Sequence, residues 1–353
     1  MNAPRISPTL RIPCQYFVVG EAPGANEMVD GRPFTGASGQ LLRKMLEEAG
    51  YAWDTLSLSY VFLERPDANK IEKHFLKSKA MKALGHDTKH LRKHPTHGFV
   101  TPHLQGEGAR LMAEIDASNC TTVIACGGVA LWALGFDHAI SKHRGVTQKL
   151  TLPSGREVSV VGTYHPAAVL REWSYRPVVV ADLKKALAGT EATRRKRLIK
   201  IPQTLREARD LLRGLHSAEF IAYDIETERR QITCISLAPS DHEVVVLPFW
   251  DKTKPDYCAW DVSDEILLWK SLKELFDQPR RWLTQNGTYD MAYLRELGII
   301  PAGTWEDTML LHHAIYCEQP KSLGFLGSLY ASEISWKELR VKRAKGKDTK
   351  AEE

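Results

Sequence analysis

Along the chain, short continuous apolar runs alternate with stretches whose apolar positions recur at helical spacing. Tyr16-Phe17-Val18-Val19, Thr121–Cys126 and Val158–Gly162 are the kind of run that a strand buried on both faces produces. The first passes through a glycine-rich turn into 39–49, where Leu41, Leu42, Met45 and Leu46 mark one face of an amphipathic helix. Gly127-Gly128 follows the second run and opens a short apolar helix. Beyond residue 202 the alternation begins again. A helix over Leu205–Leu215 leads into a strand over Phe220–Asp224, and Ile232–Leu237 and Val244–Pro248 are joined closely enough for an antiparallel meander. Helices over Asp264–Phe276, Tyr289–Leu297 and Asp307–Ile315 flank a strand at Trp282–Gln285. This alternation predicts an α/β fold, and no internal repeat interrupts it.

The length of 353 residues suits two domains. The expected division is 1–189, a basic linker over 190–201, a second domain over 202–336 and a charged tail over 337–353. Arg194-Arg195-Lys196-Arg197 ahead of Pro202 reads either as solvated linker or as a phosphate contact. Hydrophobic residues at 43% and charged residues at 26% exclude disorder as the dominant state. No apolar run approaches the roughly 18–20 residues of a membrane span. No signal core follows Met1-Asn2-Ala3-Pro4-Arg5, and the six cysteines form no C-x-x-C pair. The expected setting is the cytoplasm, without membrane contact. A net charge of +5 permits a polyanionic partner without requiring one.

Gly20-Glu21-Ala22-Pro23-Gly24 directly follows the first strand, where a loop can aim backbone N–H groups at an anion. An ordinary strand-to-helix turn fits too, while the spacing is not the G-x-G-x-x-G of a dinucleotide loop. The longer string is more specific. Glu27, Gly31-Arg32-Pro33-Phe34-Thr35-Gly36, Gly39-Gln40-Leu41-Leu42, Arg144-Gly145 and Tyr164-His165-Pro166-Ala167-Ala168-Val169-Leu170-Arg171 follow in order. Over about 12–188 the chain resembles the family-four uracil-DNA glycosylases. The resemblance implies a three-layer domain around a parallel sheet and a base taken out of the stack for cleavage. It gives His165 a hydrogen bond to the developing oxyanion, supported by amides of the loop holding Gly20, Ala22 and Gly24. It has Phe34 stack on the base, and Glu21 and Glu27 favour the cationic sugar or orient water.

The chain departs from that family twice. Members commonly hold an iron–sulfur cluster on four cysteines, but only Cys14 lies near the N-terminus and 61–66 contains none, so no cluster is expected. Tyr60 falls where the family reads uracil with an asparagine amide, and it offers one hydroxyl and more bulk. Asn69 lies beyond Pro66. The stretch 70–97 is rich in Lys, Arg and His; His86, His90 and His94 recur at helical spacing up to Pro95. It reads as a solvated or DNA-facing basic surface, with a metal site as the alternative.

Asp224 and Glu226 stand two apart at a strand end, which puts both carboxylates on one face and suits Mg²⁺ or Mn²⁺. Asn286-Gly287-Thr288-Tyr289-Asp290, Asp307–His313 and Lys321–Leu326 follow. This order resembles the proofreading exonuclease domain of family-A DNA polymerases, the DEDD group with a tyrosine variant, in its phage forms. The resemblance implies an RNase H-like mixed sheet. It also implies a metal set of Asp224, Glu226 and Asp290, with Asn286 and Tyr289 at the substrate and Asp307 structural. Its fourth ligand, on a Tyr-x-x-x-Asp motif, has no counterpart after Tyr330, so the domain is expected to be incomplete. The expected protein is therefore a base-excision module joined to a 3′–5′ exonuclease module of a phage-type DNA polymerase. Its partners would be DNA and a polymerase polypeptide, in the host cytoplasm. A catalytically degenerate DNA-binding part of a split polymerase is the alternative.

Overall fold

A central parallel sheet organises the first part of the chain. The computed structural model describes residues 4–136, 140–189 and 196–331. Its strands there are β1 (Tyr16–Gly20), β2 (Ser57–Tyr60), β3 (Phe75–Leu76), β4 (Phe99–Val100), β5 (Thr122–Cys126), β6 (Thr147–Thr151) and β7 (Glu157–Thr163). The sheet runs β2-β1-β5-β7-β6, parallel except for the antiparallel edge β6, while β3 and β4 form a separate short hairpin. The helices are α1 (Ala25–Asp30), α2 (Ala37–Ala49), α3 (Ser78–Ala83), α4 (Glu107–Ala117), α5 (Gly128–Ala133), α6 (Ile140–His143), α7 (Pro166–Arg171) and α8 (Arg176–Leu187).

Alternation along β1 builds three layers. Tyr16 and Val18 point into a cluster with Leu41, Leu42 and Met45 of α2 and Val179 and Leu183 of α8. Phe17 and Val19 point to the other face, against Leu111 and Ile115 of α4 and Val129–Trp132 of α5. Because both faces are covered, every residue of β1 is buried, and this is what made it a continuous apolar run.

The strand β2 is equally buried but reads Ser-Leu-Ser-Tyr, so no apolar run announces it. Its hydroxyls are satisfied inside: Ser57 Oγ accepts from Arg11 N at 2.9 Å, and Ser59 Oγ donates to Glu114 Oε2 at 2.7 Å. The helix expected from His86 to His94 does not form. The helical segment there is α3, which ends at Ala83, and Gly85 takes a φ of 77° just past it. His94 is instead buried, its ring 4.5 Å from His97 and 5.3 Å from Trp132.

The second sheet runs β13-β12-β9-β10-β11-β8, with β8 (Leu198–Lys200), β9 (Phe220–Glu228), β10 (Gln231–Ala238), β11 (Glu243–Pro248), β12 (Arg280–Thr284) and β13 (Gly303–Asp307). The meander β9-β10-β11 is antiparallel as its short connections imply, and β12 and β13 add in parallel. Its helices are α9 (Leu205–Gly214), α10 (Val262–Phe276), α11 (Thr288–Glu296) and α12 (Thr308–Ile315). Trp282 of β12 is fully buried and stacks on Phe276 of α10 at 4.4 Å. Two strands were hidden in the sequence. Leu198–Lys200 falls in the stretch read as linker but pairs with β11, and Gly303–Asp307 has few apolar positions because it is a half-exposed edge.

The described residues form two compact units, 4–189 with 324–331 and 196–323. The expected charged tail over 337–353 and Arg194 and Arg195 of the basic run lie outside the described residues. Among the described residues no helix is long and apolar enough to cross a membrane.

Candidate functional site

The carboxyl ends of β1, β5 and β7 open into a cavity of about 640 Å³, where parallel sheets commonly bind ligands. Glu21, Ala22, Pro23, Gly24, Phe34 and Tyr60 line one side and Tyr164 and His165 the other. Phe34 and Tyr60 pack as a pair with ring centroids 4.7 Å apart. Phe34 N donates to the Tyr60 hydroxyl at 2.9 Å, which anchors Phe34 in the left-handed region at φ 58°. Two glycines make room for this. A Cβ on Gly20 would lie 2.5 Å from the Tyr60 ring, and one on Gly39 would lie 2.1 Å from the Phe34 carbonyl oxygen. Burial pushes the Tyr60 phenol upward, with the Glu27 charge adding to it, so the hydroxyl stays neutral.

Glu27 is buried, and both its oxygens are engaged by backbone. Oε2 accepts from Gly24 N at 3.1 Å and Oε1 from Gly36 N at 2.8 Å. The side chain thus clamps the 20–24 loop to the 31–36 loop, a bracing part that the sequence did not indicate. Glu21 lies beside the histidine: a Cβ on Gly127, whose φ is 96°, would stand 2.5 Å from Glu21 Oε1 and 3.1 Å from His165 Cβ.

His165 caps the N-terminus of α7. Its Nδ1 accepts from Ala167 N at 3.2 Å, so the ring proton is assigned to Nε2. Nε2 is buried without a hydrogen-bond partner, the condition a buried polar group avoids unless a ligand completes it. Burial lowers the imidazole below the ordinary histidine range, with the Glu21 carboxylate opposing and Arg171 reinforcing. The arrangement is a neutral, buried donor, fit to stabilise charge developing on an oxygen.

The sequence reading missed Lys70 and Ile71 as pocket-lining residues, and Asn69 also reaches the rim. Asn69 Oδ1 accepts from Arg65 Nε at 2.7 Å. Only folding brings the start of the basic stretch to this cavity, and no local signal marks it.

On β9, Asp224 and Glu226 are exposed on either side of buried Ile225, so they share a face. Asp290, in the first turn of α11, is buried, and its Oδ1 accepts from Ile225 N at 2.8 Å. Partial desolvation, then the charges of Asp290 and Glu226, raise the Asp224 carboxyl to about 6. Asp290 is also raised, burial outweighing the Ile225 amide. Three oxygen-bearing groups that repel one another fit a hard divalent cation. Among the described residues, though, no group of three or more His, Cys, Asp or Glu side chains is already arranged to hold one. The Tyr289 hydroxyl meets Thr227 Oγ1 at 2.5 Å. Asn286 sits at φ 59°, and its N donates to Asp307 Oδ1 at 3.1 Å while Gly287 N donates to Oδ2 at 2.8 Å. Asp307 also accepts from Met309 N and Leu310 N, which caps α12 and fixes the 286–287 turn.

The family model of the uracil DNA glycosylase superfamily matches residues 9–187. The chain belongs to the uracil DNA glycosylase superfamily. Within it, the type-4 uracil-DNA glycosylase of Thermotoga maritima is 30% identical over 173 residues, covering 48% of this chain and 73% of that protein. The type-4 enzyme of Archaeoglobus fulgidus is 28% identical over 177 residues, covering 48% and 74%. A model described as 3′–5′ exonuclease matches residues 199–350, so this superfamily member carries its glycosylase-type domain fused to an exonuclease-type one. Among solved structures, Escherichia coli RNase D aligns with a TM-score of 0.30 at 18% identity over 41% of this chain. The chain spans 36% of that RNase D.

Proposed function

We propose that the first unit binds a base extruded from DNA and cleaves its glycosidic bond without metal, and that the second trims 3′ ends with Mg²⁺ or Mn²⁺. The two family matches support a DNA-processing role. The observation that carries the first half is the unpartnered, buried Nε2 of His165, a residue that lines the cavity together with Ala22 and Gly24. When the bond to the base breaks, electrons pass to the pyrimidine and leave a cationic sugar. His165 Nε2–H donates to the base oxygen that gains charge, and Glu21 beside it favours the cation. Phe34, fixed by Tyr60, is the stacking wall. Lys70 and Arg171 at the rim suit phosphates.

In the second unit, Asp224, Glu226 and Asp290 would hold the metal, which supplies charge to activate water and to stabilise the leaving oxygen. Asn286 and Tyr289 would contact the 3′ end. The order of these segments supports a phage-type family-A polymerase as the context, with a polymerase polypeptide as partner and the host cytoplasm as location.

A second reading has one specific observation in its favour. Tyr60, on the pocket wall, spends its hydroxyl oxygen on Phe34 N, so the paired donor and acceptor that read a uracil edge are not supplied there. On that reading the unit holds DNA without excising uracil. A labelled single-stranded oligonucleotide containing uracil, incubated with Mg²⁺ or with EDTA, separates the two. Alkali-labile sites in EDTA support excision. Shortening from the 3′ end only with metal supports the exonuclease. Retention of an uncut oligonucleotide supports binding alone.

A further inference from the structure

The most deeply buried charge in the first unit lies outside the cavity. Arg144 and Asp182 are each fully buried, and Arg144 Nη1 donates to Asp182 Oδ1 at 2.7 Å. Thr163 Oγ1, at the end of β7, donates to Asp182 Oδ2 at 2.9 Å. A Cβ on Gly145 would lie 2.3 Å from Asp182 Oδ1, so glycine is needed for the pair to close.

The second terminal nitrogen of the guanidinium is met from far along the sequence, while Nε is buried without a partner. Arg144 Nη2 donates to Ser328 Oγ at 2.9 Å, and Lys185 Nζ donates to the Ser328 carbonyl at 2.6 Å. The Phe325 ring lies 4.7 Å from the guanidinium carbon, and the Tyr164 ring lies 5.7 Å from it. Ser328 Oγ in turn donates to Phe325 O at 2.7 Å. Residues 324–331 therefore belong to the first unit, although 196–323 form the second.

We propose that residues 324–331 are a clasp that completes the Arg144 site and thereby positions the Thr163-Tyr164-His165 strand end that carries the pocket histidine. A buried cation that loses a partner is left with a further unmet donor, and the strand end tied to it through Asp182 and Tyr164 loosens. Arg144 and Ser328 are positioning residues. The contact makes the cavity's geometry depend on residues that lie beyond 196–323 in the chain and within the exonuclease-type match. The consequence for base excision rests on the reading given above, but the clasp itself does not.

The test is amide hydrogen exchange on the intact chain, comparing wild type with Ser328→Ala and Ser328→Thr. Ser328→Ala is expected to speed exchange across 163–171 at least tenfold, to leave 205–296 unchanged, and to shift the His165 ring resonance. Ser328→Thr, which keeps the hydroxyl, restores both. Phe325→Leu, which keeps apolar volume without the ring, supplies an independent variant and is expected to act in the same direction. Unchanged exchange at 163–171 in Ser328→Ala and Phe325→Leu overturns the proposal, as does uniform acceleration throughout the first unit with His165 unmoved. Base excision on the same variants is read separately: a wild type that excises nothing fails the functional reading while the exchange pattern still decides the clasp.

Discussion

His165 carries its proton on Nε2 because Nδ1 is occupied by the Ala167 amide, and that single hydrogen bond sets what the residue can do. His165→Ala is expected to lower metal-independent base excision by about 10²–10³-fold, the scale for losing one donor to a developing oxyanion. The measurement is single-turnover cleavage in EDTA. The depressed histidine pKa also has a sign for stability. The unfolded chain takes up a proton near pH 6.5 while the folded one does not, so His165's contribution is full above that pH and declines as pH falls toward the folded value. Asp224 behaves oppositely. Its folded value, about 6, lies above the roughly 3.9 of an unfolded aspartate, so in EDTA this group penalises the fold at neutral pH and the penalty fades as pH falls through 6. Asp224→Asn is therefore expected to raise the melting temperature of the second unit in EDTA near neutral pH and to abolish any rise on adding Mn²⁺. A variant less stable than wild type in EDTA would contradict burial, reinforced by the Asp290 and Glu226 charges, as the origin of the shift.

Among the elements, two carboxylates act as joints. Glu27 ties two glycine loops, and Glu27→Ala is expected to cost about 2–3 kcal/mol in urea unfolding, with the slope unchanged. Asp307 receives four backbone amides, from Asn286, Gly287, Met309 and Leu310. Asp307→Ala is expected to cost about 2 kcal/mol and to fray α12, read as lost helical signal and faster amide exchange at 308–311. The bracing by Glu27 was not legible in the sequence, because spacing cannot show where a carboxylate's oxygens are spent. The same limit explains the strands. Tyr16–Gly20 and Thr122–Cys126 were legible because burial on both faces demands apolar residues, whereas β2 buries serines whose hydroxyls are bonded internally and β13 is a half-exposed edge with few apolar positions. His86, His90 and His94 show the converse error: helical spacing arose by coincidence in a segment whose helix stops at Ala83.

Across the whole molecule, the proposed function puts metal-free and metal-dependent chemistry on separate units, so the two are expected to respond to different reagents. EDTA is expected to remove 3′ shortening and leave base excision intact, while Asp224→Ala and His165→Ala each remove one activity and spare the other. Gel assays of both reactions on one labelled oligonucleotide measure this directly, and joint loss in either variant would contradict independent sites. Family-level order along the chain was legible from motifs alone. What motifs could not reveal is that the first unit takes up 324–331, because that membership rests on contacts between residues far apart in sequence.

That remote membership sets a clock. The hydrogen bond from Arg144 to Ser328 spans 184 residues, and at roughly 5–20 residues per second a ribosome needs about 10–40 s to bridge them. Throughout that interval the nascent first unit carries a guanidinium without its hydroxyl partner or its Phe325 cover. Chaperone capture or a translational pause in that window therefore falls on a nearly finished domain that is still waiting for its last piece.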